Sequence, residues 1–119
     1  MTDDHKKHKG LIAERQACKF LLNKGLDFLA HQFRCKIGEI DLIMKDQATL
    51  VFVEVRSRSS IDFGSPIDSI NIFKQNKIIK TALYYLQTNN LHDKVDCRFD
   101  VIGIQEKNIE WIKNAFWLH

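Results

Sequence analysis

The sequence predicts one α/β domain in which a mixed central sheet is flanked by helices, in the order α-β-β-β-α-β-β. Segments with the 3.6-residue period of a helix occur twice, and the segments around them alternate with the two-residue period of strands. A helix that separates runs of strands is typical of layered α/β domains. The 119 residues suffice for one domain with a substantial core and are too few for two ordinary domains. We expect this domain to span residues 10–119, after a flexible polar tail over residues 1–9.

The first predicted element is a helix over residues 10–24. Its apolar side chains recur three and four positions apart between Ala13 and Leu21, which is the spacing of one helix face. Lys24 suits the last turn of a helix, and Gly25 suits the position just beyond it.

Three strands are predicted next, over residues 28–34, 39–44 and 50–57. The third is the strongest because it is rich in valine and contains no glycine or proline. The second and third are joined by the short polar segment 45–49, which predicts a hairpin.

A second helix and two further strands complete the domain. Residues 58–65 form a polar loop, and Pro66 opens a short helical turn. A longer helix is predicted over residues 71–88, followed by a long strand over 95–105 and a short one over 109–112.

Composition excludes several classes of protein. Hydrophobic residues make up 45% of the chain, with five glycines and one proline, which is too apolar for a disordered chain and too poor in glycine for collagen. No apolar run approaches the roughly 20 residues of a membrane-spanning helix. The polar N-terminus is unlike a secretory signal. We therefore expect a cytoplasmic protein that does not bind membranes. The net charge of +3 leaves an anionic partner open.

The most informative residues are acids within the second and third strands. Because side chains alternate along a strand, Ile40 and Leu42 are predicted on one face and Glu39 and Asp41 on the other.

On the third strand the alternate valines from Val51 to Val55 share one face. Glu54, Arg56 and Arg58 share the opposite face.

The hairpin register brings these acids together. A turn centred on residues 47–48 places Asp41 opposite Glu54 and Glu39 opposite Arg56. Carboxylates opposed on central strands repel each other and lose solvation. A shared proton would relieve this by raising one pKa, and Mg²⁺ would do so by binding both carboxylates. The alternative is a solvated sheet face with a Glu39–Arg56 ion pair.

Two polar residues on the helices are predicted to point toward the same place. Glu14 shares the apolar stripe of the first helix with Ala17 and Leu21, so it faces inward. Gln75 precedes Ile78 on the stripe of the second long helix. Together with the strand acids, they predict a polar pocket between helices and sheet.

Six short sequence segments resemble those of a known protein family, and the resemblance extends from about residue 10 to residue 116. They are Ala13-Glu14, Gly-Glu-Ile-Asp-Leu-Ile at 38–43, Phe-Val-Glu-Val-Arg-Ser-Arg at 52–58, Lys74-Gln75, Arg-Phe-Asp-Val at 98–101 and Asn-Ala-Phe at 114–116. With an acid on one strand and a second acid on the next, the chain resembles the PD-(D/E)xK nuclease superfamily, which has the restriction-endonuclease-like fold. It resembles more closely the bacterial YraN-like family, itself similar to archaeal Holliday-junction resolvases.

The resemblance implies a metal-dependent endonuclease that hydrolyses phosphodiester bonds of DNA, with branched or junction DNA as a candidate substrate. It implies that Asp41 and Glu54 bind Mg²⁺ or Mn²⁺. Glu14 would be the helix-borne acid that completes the site, and Gln75 would lie at its edge. Arg56 occupies the position of the catalytic lysine.

Arg56 departs from the family pattern and leaves two functions open. Arginine keeps the positive charge and can bind a phosphate oxygen through two donors. It does not release a proton near neutral pH, so an alternative is a catalytically weak or inactive nucleic-acid-binding module on a nuclease fold. Lys36 or Lys74 could supply an ammonium group in its place.

Candidate DNA contacts are the cations Arg56, Arg58, Lys74 and Lys77. A solvated helix face is the competing interpretation for the last of these. The aromatic residues Trp111, Phe116 and Trp117 could stack on bases, contact a second subunit or belong to the core. A two-fold homodimer would suit a symmetric DNA substrate.

Overall fold

The computed structural model describes the backbone of residues 2–59 and 64–117, with side chains from residue 10 onward. Its elements are α1 (Thr2–Asn23), β1 (Asp27–Arg34), β2 (Glu39–Asp46), β3 (Thr49–Arg58), a 3₁₀ turn (Pro66–Ser69), α2 (Ile72–Thr88), β4 (Asp96–Gln105) and β5 (Asn108–Phe116). The predicted order of helices and strands is confirmed, including the short helical turn that Pro66 opens.

The five strands form one mixed sheet in the order β1-β2-β3-β4-β5. β3 and β4 are parallel, and the other neighbouring pairs are antiparallel. Parallel neighbours need a long crossover, which the 3₁₀ turn and α2 supply. The protein is therefore a small α/β domain with a five-stranded mixed sheet and two helices.

Helix α1 begins at Thr2, earlier than the predicted start at Gly10. No proline or glycine precedes Gly10 in this segment, so the backbone can hold helical hydrogen bonds through residues 2–9. From Thr2 onward, the predicted polar tail over residues 1–9 therefore belongs to the backbone of α1.

Each face of the sheet carries its own hydrophobic cluster. The α1 face contains Ala13, Ala17, Leu21, Leu26, Leu42, Met44, Val51, Val53, Ile102 and Ile104. The α2 face contains Ile40, Ile43, Leu50, Phe52, Ile70, Ile78, Ile79, Ala82, Leu86, Phe99, Val101 and Phe116. Coverage on both sides explains why the central strands are nearly continuous apolar runs. The predicted opposite faces of Val51 and Phe52 are confirmed.

The predicted register of the β2–β3 hairpin is also confirmed. Leu42 pairs with Val53, and Met44 pairs with Val51. This is the register that a turn at residues 47–48 requires.

Alternation along β2 differs from the prediction at one point. Ile40 and Leu42 were expected on one face, but Ile40 packs in the α2-side cluster and Leu42 in the α1-side cluster. The change of face falls between Ile40 and Leu42, at Asp41. In the neighbouring strand β1, Gln32 lies between the residues that pair with Ile40 and Leu42, and it has a left-handed backbone with φ of 48°.

A buried polar network joins β2, β4 and β5. Asp100 is fully buried and accepts hydrogen bonds from Arg98 Nε (3.1 Å), Trp111 Nε1 (2.9 Å) and the Asn114 N–H (2.9 Å). Arg98 also forms an ion pair with Asp46 at 3.0 Å. The three hydrogen bonds to Asp100 and the two ion pairs of Arg98 offset much of the cost of burying these charges. The motif segments at 98–101 and 114–116 are thus explained by structure rather than by the acidic site.

Two of the three C-terminal aromatic residues belong to the core. Phe116 is buried and stacks on Phe99, with ring centroids 5.2 Å apart. Trp111 packs edge-on against Phe20 at 6.0 Å. A base-stacking role for Trp111 and Phe116 is therefore wrong, whereas Trp117 is 59% exposed.

Within the described part of the chain, no helix combines the length and apolar character that crossing a bilayer requires.

The packing of the 3₁₀ turn on β4 predicts the effect of an alanine substitution at Gly103. A Cβ atom at Gly103 would collide with the ring of Pro66, so we expect Gly103→Ala to lower the free energy of unfolding by about 1–3 kcal/mol. Urea unfolding measured by tryptophan fluorescence tests this.

Gly10→Ala is the matched control, because a Cβ there meets nothing within 4 Å and the residue lies inside α1. It should stabilise the protein by roughly 0.5–1 kcal/mol. Equal stability of Gly103→Ala and wild type would contradict this account of the β4 packing.

Candidate functional site

A polar cleft of about 320 Å³ opens beside α2, where β2 and β3 separate. It is lined by Gly38, Glu39, Asp41, Glu54, Arg56, Lys74, Lys77 and Ile78. The two acids predicted to oppose each other, Asp41 and Glu54, therefore share one cleft with three cations.

The cleft lies at a fork in the sheet. β2 pairs with β3 from the hairpin turn as far as Leu42 and Val53, and beyond that point it remains paired only with β1, as far as Glu39. The Val55 N–H of β3 instead donates a hydrogen bond of 2.8 Å to Asp41 Oδ2. A side-chain carboxylate thus takes the place of a main-chain partner at the point where the strands part.

The environment of Glu54 in the cleft favours the protonated form of its carboxyl group. Burial raises the pKa of Glu54 well above its usual range, and the hydrogen bond to Asp41 and the negative charge of Asp41 raise it further. The nearby positive charges of Arg56 and Lys74 act in the opposite direction and only partly offset these effects. A protonated carboxyl beside an ionised one is the expected state of two acids too close to ionise together.

Glu14 approaches the same acids from α1. Burial raises its pKa to about 7, and the charge of Asp41 contributes to this rise. Gln32, the left-handed residue of β1, forms a side-chain hydrogen bond with Glu14. The other carboxyl oxygen of Glu14, Oε1, is buried without a hydrogen-bond partner in the described structure. The predicted inward orientation of Glu14 is thus correct.

Arg56 lies in the cleft on the same strand face as Glu54. Its Nε is buried and has no hydrogen-bond partner among the described residues. The alternative Glu39–Arg56 ion pair does not form, because Glu39 instead pairs with Arg34 of β1 at 3.4 Å. Arg34 and Glu39 are direct partners in the β1–β2 ladder, which explains this choice.

The remaining predicted site residues divide between the cleft and its surroundings. Lys74 and Lys77 line the cleft. Gln75 is not among its lining residues, and its side-chain amide donates to the Ile70 carbonyl at 3.0 Å. The amide thus joins α2 to the residue before its N-cap, and the expected place of Gln75 at the site edge stays a prediction.

Arg58 lies farther along β3, outside the cleft. Its Nη1 donates to the Gly64 carbonyl at 2.8 Å and so helps to hold the segment that leads into the 3₁₀ turn.

Gly38 is a lining residue whose importance was not apparent from the sequence. A Cβ atom there would lie 2.9 Å from Thr81 Oγ1, so glycine allows the start of β2 to approach α2 closely. The signal that could have found it is a glycine directly before an acid-bearing strand.

The donor set fits a divalent cation in part. Mg²⁺ commonly takes one or two carboxylates and fills its other positions with water and substrate oxygens. Asp41 and Glu54 provide such a pair, and the unpartnered Oε1 of Glu14 is a further oxygen donor nearby. Within residues 2–59 and 64–117, no three His, Cys, Asp or Glu side chains lie close enough together to hold a metal by themselves.

Comparison with known proteins places the chain among close relatives. The model of the uncharacterised protein family UPF0102 matches residues 13–104. A UPF0102 protein of Coxiella burnetii (strain RSA 331) is 52% identical over 107 residues, which cover 89% of each chain. One from Psychromonas ingrahamii is 53% identical over 91% of this chain and 88% of its own. One from Lachnoclostridium phytofermentans is 43% identical over 94% and 95%.

The raised carboxyl pKa values predict how stability depends on pH without metal. Glu54 keeps its proton in the folded chain where an unfolded glutamate has lost it, so the folded state binds more protons in that range. The free energy of unfolding in EDTA should therefore fall as pH rises from about 5 to about 9, by up to about 1.4 kcal/mol per pH unit for a fully buried group. Urea titrations at a series of pH values measure this slope.

Glu54→Gln should flatten the profile, since an amide can donate to Asp41 as the protonated carboxyl does and cannot ionise. Glu110→Gln, at an exposed position on β5, should keep the wild-type slope. Equal slopes in all three proteins would show that Glu54 carries no extra proton.

Proposed function

The chain belongs to the uncharacterised protein family UPF0102, the YraN-like family that the sequence indicates, and we propose that it is a metal-dependent DNA endonuclease. The observation that carries the proposal is the acid pair Asp41–Glu54, which lies at the strand fork in a cleft bordered by cations. The raised pKa of Glu54 allows the two acids to lie together without metal, and a divalent ion would take the place of the proton on Glu54.

The same proposal includes the assignment of this domain to a known nuclease fold. A helix, a three-stranded meander, a crossover helix and a returning parallel strand agree with the restriction-endonuclease-like fold of the PD-(D/E)xK superfamily. The acids also stand where the resemblance expects them, on β2 and β3. Fold likeness alone does not establish an activity, so the proposal rests on the chemistry of the cleft.

Asp41 and Glu54 would hold Mg²⁺ or Mn²⁺, and Glu14 would complete the set from α1. When bound, the ion would polarise the scissile phosphate and activate a water molecule. Asp41 is held in position by the Val55 N–H, so one ligand is already oriented. Removal of the proton from Glu54 converts the pair from a hydrogen-bonded acid into two anionic ligands.

The cations of the cleft would bind the substrate. Arg56 has a buried Nε without a partner in the described structure, and that donor suits a non-bridging phosphate oxygen. There it would stabilise the charge that develops in the transition state. Lys74 and Lys77 would bind phosphates on the α2 side of the cleft. A cytoplasmic location, a branched or junction DNA substrate and a two-fold homodimer remain parts of this proposal.

Arg56 favours a second candidate function, a DNA-binding module with little or no catalysis. Unlike the lysine of the family pattern, an arginine does not give up a proton near neutral pH. The fold and the basic side of the cleft would then be kept for binding alone.

Cleavage assays with purified protein test the enzymatic proposal. With Mg²⁺ or Mn²⁺ the wild type should nick branched or single-stranded DNA, and Asp41→Asn should reduce the rate about 100-fold or more, since it removes the charge of one metal ligand. The asparagine keeps an oxygen acceptor for the Val55 N–H, so the fork should survive. Arg56→Lys should raise the rate if the lysine of the family pattern is the better catalyst. Glu110→Gln, remote from the cleft, is the control.

Binding assays in the same buffers separate the two candidates. The binding module predicts DNA affinity that needs no Mg²⁺, that is unchanged or improved in Asp41→Ala, and that accompanies no cleavage by wild type or Arg56→Lys. Loss of all salt-sensitive DNA binding in the wild type would remove both candidates.

A further inference from the structure

The outer face of α2 carries a stripe of aromatic and basic side chains, of which only Lys77 has a role in the function proposed above. Phe73, Lys77, Lys80 and Tyr84 follow one another at intervals of four, three and four residues, which places them on one helix face. This set is called the α2 stripe. All four side chains are exposed, with Phe73 at 72% and Tyr84 at 43%.

The α2 stripe lies opposite the packed face of the helix. The buried side of α2 is formed by Ile78, Ile79, Thr81, Ala82 and Leu86. All of these except Thr81, which borders the stripe beside Lys77, are roughly half a helical turn away from it. The fold therefore gains nothing from an aromatic ring at residue 73. A single exposed phenylalanine is unremarkable, but here the ring is aligned with two lysines and a second aromatic residue.

The α2 stripe is continuous with the acidic cleft through Lys77, which belongs to the stripe and also lines the cleft. Phe73 lies one helical turn toward the N-terminus from Lys77. The N-terminal end is held in place because the Asn71 side chain accepts a hydrogen bond of 2.9 Å from the Lys74 N–H. At the other end Tyr84 rests against Phe33 of β1, with ring centroids 6.3 Å apart. Between residues 73 and 84 the helix rises about 16 Å.

We propose that the α2 stripe binds an unpaired DNA strand and leads it to the cleft, with Phe73 stacking on a base and Lys77 and Lys80 binding phosphates. This inference rests on the proposed function and deepens it, since it names single-stranded segments as the preferred substrate. Aromatic rings interspersed with cations are the usual means of binding single strands, because every unpaired base offers a face for stacking. In duplex DNA the base faces are covered by neighbouring base pairs, and only the lysines of the stripe would contribute.

A fluorescence-anisotropy assay tests the base contact. The probes are a fluorescein-labelled dT15 strand and a 15-base-pair duplex, each titrated in EDTA and again with Ca²⁺. Phe73→Ala should weaken dT15 binding about fivefold or more and change duplex binding less than about twofold. Phe73→Trp should restore binding, and its added tryptophan emission should be quenched by dT15.

A matched control comes from an exposed apolar side chain outside α2. Leu29→Ala removes another exposed apolar side chain, 42% exposed on β1, and should leave both affinities unchanged. The double variant Lys77→Ala/Lys80→Ala should reduce the slope of log affinity against log salt for dT15 by about 1.4, the value expected for two lost phosphate contacts. Lys107→Ala, in the exposed β4–β5 turn, should keep the slope.

Each result decides the proposal. Selective loss of dT15 binding in Phe73→Ala, rescued by tryptophan, supports it. Wild-type affinity of Phe73→Ala for dT15, or an equal loss for dT15 and duplex, overturns the stacking role and leaves the endonuclease proposal standing if the wild type still cleaves DNA. Absence of salt-sensitive binding by the wild type to either probe overturns both.

Discussion

The interaction on which the site depends is the hydrogen bond from the Val55 N–H to the Asp41 carboxylate. At this position β2 continues with β1 while β3 continues with β4, so the sheet opens between them. A carboxylate that satisfies the main chain of β3 keeps the opening free of an unpaired buried donor. The same contact fixes the position of one oxygen-bearing group beside Glu54, so the structure of the fork and the acidity of the cleft have one origin.

The charge state of the cleft follows from that geometry. Asp41 accepts a hydrogen bond from the main chain of β3, and the pKa of Glu54 is raised by burial and by its neighbour Asp41. The positive charges of Arg56 and Lys74 lie close to Glu54 and lower its pKa in part. The Nε of Arg56 has no hydrogen-bond partner among the described residues. A cleft in this condition can accept both a divalent cation and a polyanion, and the two would neutralise each other's excess charge.

The sequence predicted the acid pair but not all of its surroundings. The register that joins Asp41 to Glu54 depends on a short turn and on the valine alternation of β3, and both are local features. The shift of Ile40 to the other face occurs beside the left-handed backbone of Gln32 in the neighbouring strand, and no local pattern indicates either feature. Glu39 forms an ion pair with Arg34 rather than with Arg56 because Glu39 and Arg34 are direct partners in the β1–β2 ladder. The pattern of β2 and β3 alone does not indicate this pairing with β1.

The α2 stripe is a second feature that the sequence alone does not reveal. Helical periodicity identified the buried face of α2 and therefore implied an outer face, yet a phenylalanine there is visible only once the core is known to lie on the opposite side. The net charge of +3 is equally uninformative until the acids are located. With Glu14 and Glu54 turned inward, where burial raises the pKa of both carboxyl groups, and Lys77 and Lys80 on the outer face of α2, the surface around the cleft is more basic than the total suggests. Segregated in this way, a small net charge suffices to attract a polyanion to one side of the molecule.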